Sequence, residues 1–79
     1  MAIDLKYGYV TTENGEIGDD EPVIVFRAQD TLTPFVIENY RQMAQEAGSP
    51  QRHLDGIEAV FQQFIAWQAR NPTKVPESA

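Results

Sequence analysis

One stretch constrains the fold most: Glu21-Pro22-Val23-Ile24-Val25-Phe26-Arg27-Ala28-Gln29-Asp30-Thr31-Leu32-Thr33-Pro34. Val23 to Phe26, with Ala28, form an apolar and β-branched run of the kind that suits a covered, pleated strand. Arg27 interrupts the run, and Gln29 and Asp30 end it. Thr33 followed by Pro34 has the pattern of a helix N-cap with proline at the first helical position, where its missing N–H costs nothing. Leu32 and Ile37 flank that cap at the spacing of a hydrophobic staple. The stretch therefore predicts a strand over about residues 22–29 that feeds directly into a helix.

A partner strand is expected over about residues 5–12. There Tyr7, Tyr9, Val10, Thr11 and Thr12 favour a sheet, and Gly8 marks a bulge or a close backbone approach. Asn14-Gly15 is a hairpin signal, because both residues tolerate positive φ. Residues 13–22 either form a small hairpin or make one long connection, and in both cases the two strands are expected to pair antiparallel. The loop holds Glu13, Glu16, Asp19, Asp20 and Glu21. Clustered oxygens can attract calcium, but the spacing matches no EF-hand loop, and a solvated acidic loop is the plainer reading.

Two helices follow, over about 34–47 and 50–70. Val36, Tyr40, Met43, Ala44 and Ala47 make an apolar stripe on the first. Gly48 is a natural stop, and Ser49-Pro50 repeats the cap-and-proline pattern. So short a connection implies an antiparallel helical hairpin. On the second helix Leu54, Ile57, Phe61, Phe64, Ile65 and Gln68 form one seam, and Val60, Phe64 and Trp67 a neighbouring one. Asn71-Pro72 ends the helix, and the tail 73–79 is expected to fray. The fold class expected is α+β, a single ββαα domain in which a two-stranded hairpin packs on a helical hairpin.

The apolar surface of the second helix is wider than one partner helix needs. Either the strands cover the surplus or another molecule does, and exposed apolar patches usually mark contacts. A chain of 79 residues builds only a small core and normally needs a disulfide, a metal or oligomerisation as support. Cysteine is absent and there is one histidine, so disulfides, thiolate chemistry and His- or Cys-based metal sites are excluded. Oligomerisation is the support left open. Ile57, Val60, Phe61, Phe64 and Trp67 are the candidate interface residues.

Twelve Asp and Glu against six Lys and Arg give a net charge of −6, which disfavours general binding to nucleic acid. No apolar run reaches the length of a membrane span, and the N-terminus lacks the features of a signal peptide. A cytoplasmic protein is expected.

No nucleophile elbow, phosphate loop or metal-ligand pair is present. No metal, cofactor or enzymatic activity is expected. His53 is the single side chain suited to proton transfer near neutrality, but no spacing supplies a nucleophile or orienting acid, so a surface or packing role is the plainer one. Arg27 inside an apolar run is either salt-bridged or an anion contact. As an anion contact it would share a site with the helix entry at Thr31 and Thr33, whose amides can face an anion. Tyr40 could stack on a ligand in that same site, and Arg52 and His53 are its further candidate residues, Arg52 joining it only in some registers of the two helices. For Tyr40 and Trp67 a packing role is the plainer reading.

Several segments carry a resemblance. Tyr7-Gly8-Tyr9-Val10-Thr11-Thr12-Glu13, Asp20 to Asp30, Ala47 to Leu54 and Ala66-Trp67-Gln68-Ala69 resemble small uncharacterised bacteriophage and prophage proteins, with the "DEPVIVFRAQD" core the most distinctive piece. The resemblance implies an accessory protein acting inside a bacterial host, as a host-takeover or anti-defence factor. It carries no catalytic residues. The expected function is non-enzymatic binding to a host protein by a self-associating domain. The alternatives are capture of a small anionic ligand, such as a signalling nucleotide, and an enzyme using His53.

Overall fold

The computed structural model describes residues 2–76. Two short strands, β1 (Ala2–Asp4) and β2 (Gly8–Val10), precede two helices, α1 (Thr33–Glu46) and α2 (Gln51–Gln68). The strands form an antiparallel hairpin and the helices pack together as a second hairpin, giving the α+β, ββαα arrangement.

The strands are not the two expected. β1 pairs with β2 in the register Ala2↔Val10, Ile3↔Tyr9, Asp4↔Gly8. The stretch read as a single strand over 5–12 instead contains the turn, Leu5 to Tyr7, and the returning strand. Asp4 causes this. One of its carboxylate oxygens accepts the amides of Lys6 and Tyr7, both at 2.8 Å. Gly8, at φ +84°, supplies the left-handed residue that closes a three-residue loop.

Residues 22–29 form no strand of the sheet. Pro22 makes one parallel bridge to Ile3, and the Val23 amide donates to the Ile3 carbonyl at 3.3 Å. Pro22 has no N–H to extend the ladder backwards. One step further on, the Val25 amide donates to the other Asp4 oxygen at 2.7 Å, so a side chain stands where a neighbouring strand would accept. Asp4 is buried, at 3% exposure. The three amides hold its carboxyl below the usual carboxylate range, the Tyr7 amide most strongly and those of Val25 and Lys6 after it, against the opposing effect of desolvation.

The helix entry also differs in detail. Leu32, not Thr33, is the N-cap, and Thr33 and Pro34 are the first two helical residues. Thr33 is fully buried, and its hydroxyl donates to the Arg27 carbonyl at 3.1 Å. Asp30 caps instead: its carboxylate accepts the Leu32 amide at 2.8 Å and its carbonyl accepts the Thr33 amide. The stop after α1 follows the sequence closely. Gly48 sits at φ +84°, its amide donates to the Gln45 carbonyl, and the Ser49 amide reaches back to Ala44. This is a Schellman closure. Ser49 makes no side-chain cap; Pro50, in extended conformation, occupies that position.

The two halves are fastened through the segment between them. The Gln68 side-chain amide, at the end of α2, donates to the carbonyls of Ala28 and Asp30, both at 3.0 Å. The tail is held here as well. The Lys74 amide donates to the Gln29 carbonyl, the Thr31 amide donates to the Lys74 carbonyl, and the Thr31 hydroxyl donates to that of Thr73. The expected fraying of 73–79 therefore does not apply to Thr73 and Lys74, and residues 77–79 lie outside the described residues.

The core is small. Among the described residues the buried apolar side chains are Ala2, Ala44 and Leu54. A folded chain of this mass, 8.9 kDa, exposes about 4,800 Å², whereas this one exposes 6233 Å². Its radius of gyration is 14.0 Å, against about 11.6 Å for a compact domain of its length. No helix of the described residues is long and apolar enough to cross a membrane.

Candidate functional site

Uncovered apolar surface is spread along the chain, with Leu5, Tyr9, Ile24 and Phe35 the most exposed, and part of it lies beside the helical hairpin. On α1, Thr33, Ile37, Arg41 and Ala44 share the face turned inward, and all four are buried or half-buried. Val36, Tyr40 and Met43 lie one flank away from that face at helical spacing, with Tyr40 51% and Met43 60% exposed. Of the stripe read from the sequence, Ala44 alone is buried. The reason is the tilt of the packing face. α1 turns Ala44 inward, so Val36, Tyr40 and Met43 stay partly exposed, Tyr40 meeting His53 edge-to-face.

A groove of about 700 Å³ runs along this flank. Val36, Ile37 and Tyr40 of α1 line one wall, and Arg52, His53, Gly56, Ile57 and Val60 of α2 the other. Phe26 lies at one end and Pro50 at the other turn. Gly56 has no side chain, and a methyl group built there would meet no neighbour, so the wall is open at that point. His53 meets the Tyr40 ring edge-to-face, with centroids 6.3 Å apart and planes at 84°. Its ring makes no hydrogen bond among the described residues, so no orienting acid or nucleophile stands beside it.

The residues singled out by sequence therefore divide into separate places. Tyr40, Arg52 and His53 come together in the groove, alongside Ile57 and Val60. Phe61, Phe64 and Trp67 are half-buried and lie outside it. Arg27 stands elsewhere, with its guanidinium 5.8 Å from the Tyr7 ring centroid and in no ion pair among the described residues. Thr31 and Thr33 spend their hydroxyls on Thr73 and on the Arg27 carbonyl. The amides of Thr31, Leu32 and Thr33 are all taken by protein acceptors, and one of those is the Asp30 carboxylate. The helix entry thus has no free donors for an anion and already holds a negative group, and the expected shared site of Arg27, Thr31 and Thr33 is not assembled. Arg41 lies toward Glu58 across the helix pair, at 3.7 Å, rather than into the groove. Among the described residues no group of three or more acidic or histidine side chains is placed to hold a metal ion.

Sequence reasoning missed two organising residues, Asp4 and Gln68. Asp4 precedes a Lys-Tyr-Gly turn, and an aspartate two and three residues before unpaired amides is a turn signal. Nothing in the sequence marks its long-range bond to Val25. Gln68 was readable only as a polar residue within an apolar seam. No family model, curated protein or solved structure matches the chain.

Proposed function

We propose that this protein works by binding, not by catalysis, and that it does so as an assembly in which copies cover one another along the groove of α1 and α2. One observation carries the proposal: the chain leaves Val36, Tyr40 and Val60 uncovered in one groove, and Met43 uncovered on α1, while the fully buried side chains among the described residues are few and small. Over the whole chain, not in the groove alone, the surplus is roughly 1,400 Å² above the expectation for its mass, so the chain has surface to spare for the approximately 800 Å² that each partner contributes to an ordinary stable interface. A fold that depends on covered surface needs an occupant that is present whenever the chain is, and a second copy meets that condition. Val60 and Ile57 would sit at the contact, with Arg52 and His53 on its rim. The phage-type resemblance gives the setting, a host-cell protein engaged by the assembly.

Solvent paramagnetic relaxation tests the face directly. With a soluble gadolinium chelate, the side-chain protons of Val36, Tyr40, Met43 and Val60 are expected to relax slowly, like those of Leu54. Tyr9 and Val75, exposed and outside the groove, should relax fast. Fast relaxation at Tyr40 and Met43, matching their exposure in the isolated chain, would remove the proposal.

A further inference from the structure

A second cavity, of about 290 Å³, lies between the β1–β2 turn and the segment 23–30. It is open on one side and largely apolar, with Ile24 and Phe26 among its walls. Lys6, Arg27 and Lys74 also line it, half of the six lysines and arginines in the chain. The chain has twelve carboxylates, yet none of the described ones stands within 4 Å of these three cations in an ion pair. Lys6 and Arg27 instead flank Tyr7, at 5.7 Å and 5.8 Å from its ring centroid. Such cation–π contacts leave the hydrogen-bond donors of both head groups unspent.

Two acids share the cavity wall, Asp4 and Asp30. Both Asp4 oxygens are engaged by the amides of Lys6, Tyr7 and Val25. One Asp30 oxygen is engaged by the Leu32 amide. The cations are placed by backbone rather than by chance of side-chain reach. Lys6 sits in the turn that Asp4 ties, and Lys74 is bridged through its amide and carbonyl to Gln29 and Thr31. Lys6 also acts through charge on the Asp4 carboxylate; an anion would find three cationic groups that are in no ion pair among the described residues, around an apolar floor.

We propose that this cavity binds a small phosphorylated ring compound of about the size of a nucleoside monophosphate. Lys6, Arg27 and Lys74 hold the phosphate, Arg27 through its planar fork, and Ile24 and Phe26 cover one side of the ring. The volume stands at the low end for small-molecule sites, which limits the occupant to about one base, one ribose and one phosphate. This site meets the groove beside the helices at Phe26, which lines both, but its cations lie outside the groove and neither reading needs the other. At a net charge of −6 the chain as a whole repels an anion, a repulsion that salt screens together with the local attraction of the three cations.

The test is titration of adenosine 5′-monophosphate into isotope-labelled protein at low salt, read from amide shifts. Saturable shifts confined to Lys6, Tyr7, Ile24 to Arg27 and Lys74 are expected, with Kd on the order of 0.1–1 mM. Adenosine lacking the phosphate should bind at least about tenfold more weakly, and Arg27→Ala should weaken the monophosphate by a similar factor. The Arg27 side chain is exposed and faces the Tyr7 ring, while its backbone carbonyl accepts from Asp30 and Thr33, so this variant should keep the wild-type spectrum away from Tyr7 and its neighbours. Lys74→Gln is the second variant, with the same direction expected. Absent or unsaturable shifts, equal affinity for adenosine, or an unchanged Kd in both variants would overturn the site.

Discussion

Asp4→Ala is expected to be the most damaging single substitution in the first half of the chain. One buried carboxylate accepts three backbone amides from two segments, and amides left without an acceptor in a buried place cost more than an ordinary hydrogen bond returns. The turn Leu5 to Tyr7 and the segment 22–25 would both lose their tie to β1. The expected loss in Tm is on the order of 10 °C, with α1 and α2 losing less order than the strands. Asp4→Asn should fall between, since it keeps one acceptor and places an N–H₂ against amides. The pH profile follows from the depressed carboxyl pKa. The stabilisation is complete above the ordinary carboxylate value of about 3.9 and disappears as pH falls through the lower folded value. The wild-type Tm should therefore drop as pH falls below the ordinary carboxylate value of about 4 and through the lowered folded one, and the gap to Asp4→Ala should close over the same interval. A variant within about 2 °C of wild type at neutral pH would show that the three amide bonds contribute little.

Placing a charge in the groove is the second large effect. Val60→Glu puts a carboxylate in the middle of the α2 wall, and Tyr40→Glu does so on α1. Covering such a group costs several kcal/mol unless it is paired, so self-affinity should fall by at least about 100-fold. Leu5→Glu serves as the comparison: Leu5 is 95% exposed and lies outside the groove, and this change should leave assembly intact. Sedimentation of the three variants at equal concentration checks the expectation, with circular dichroism to show whether the separated chains keep their helices. Groove variants that assemble like wild type would place the contact on another face.

Much of the helical half was legible in the sequence. Gly48 and Pro50 end one helix and begin the next through local sterics alone, so the turn needed no tertiary information. The observed bounds, Thr33–Glu46 and Gln51–Gln68, lie within a few residues of those expected. The strand half was less legible, because its organisation depends on contacts distant in sequence. Val23 to Phe26 has the composition of a strand, but the partner edge is three residues long and ends in a carboxylate that takes the Val25 amide. Ala2-Ile3-Asp4 is too short for periodicity to reveal. The cap at Thr33 failed for a related reason: Asp30, three residues earlier, does the capping, and the Thr33 hydroxyl is drawn to the Arg27 carbonyl.

The candidate site was legible in part. Tyr40, Arg52, His53, Ile57 and Val60 were separate guesses at ligand and interface residues, and the helical hairpin brings them to one groove. That Met43 and Val36 remain uncovered depends on which flank of α1 meets α2, a matter of packing that the stripe alone does not decide. The cluster of Lys6, Arg27 and Lys74 spans nearly the whole chain, and no local pattern joins them.

The central claim is that the fold is completed by copies of itself. Sedimentation velocity of the wild-type chain across about 1–100 µM, a range that brackets ordinary stable association, tests it most directly. The account predicts a species at an integer multiple of 8.9 kDa that gives way to smaller species only on dilution. A single species at 8.9 kDa over the whole range, with the helices intact, would contradict it.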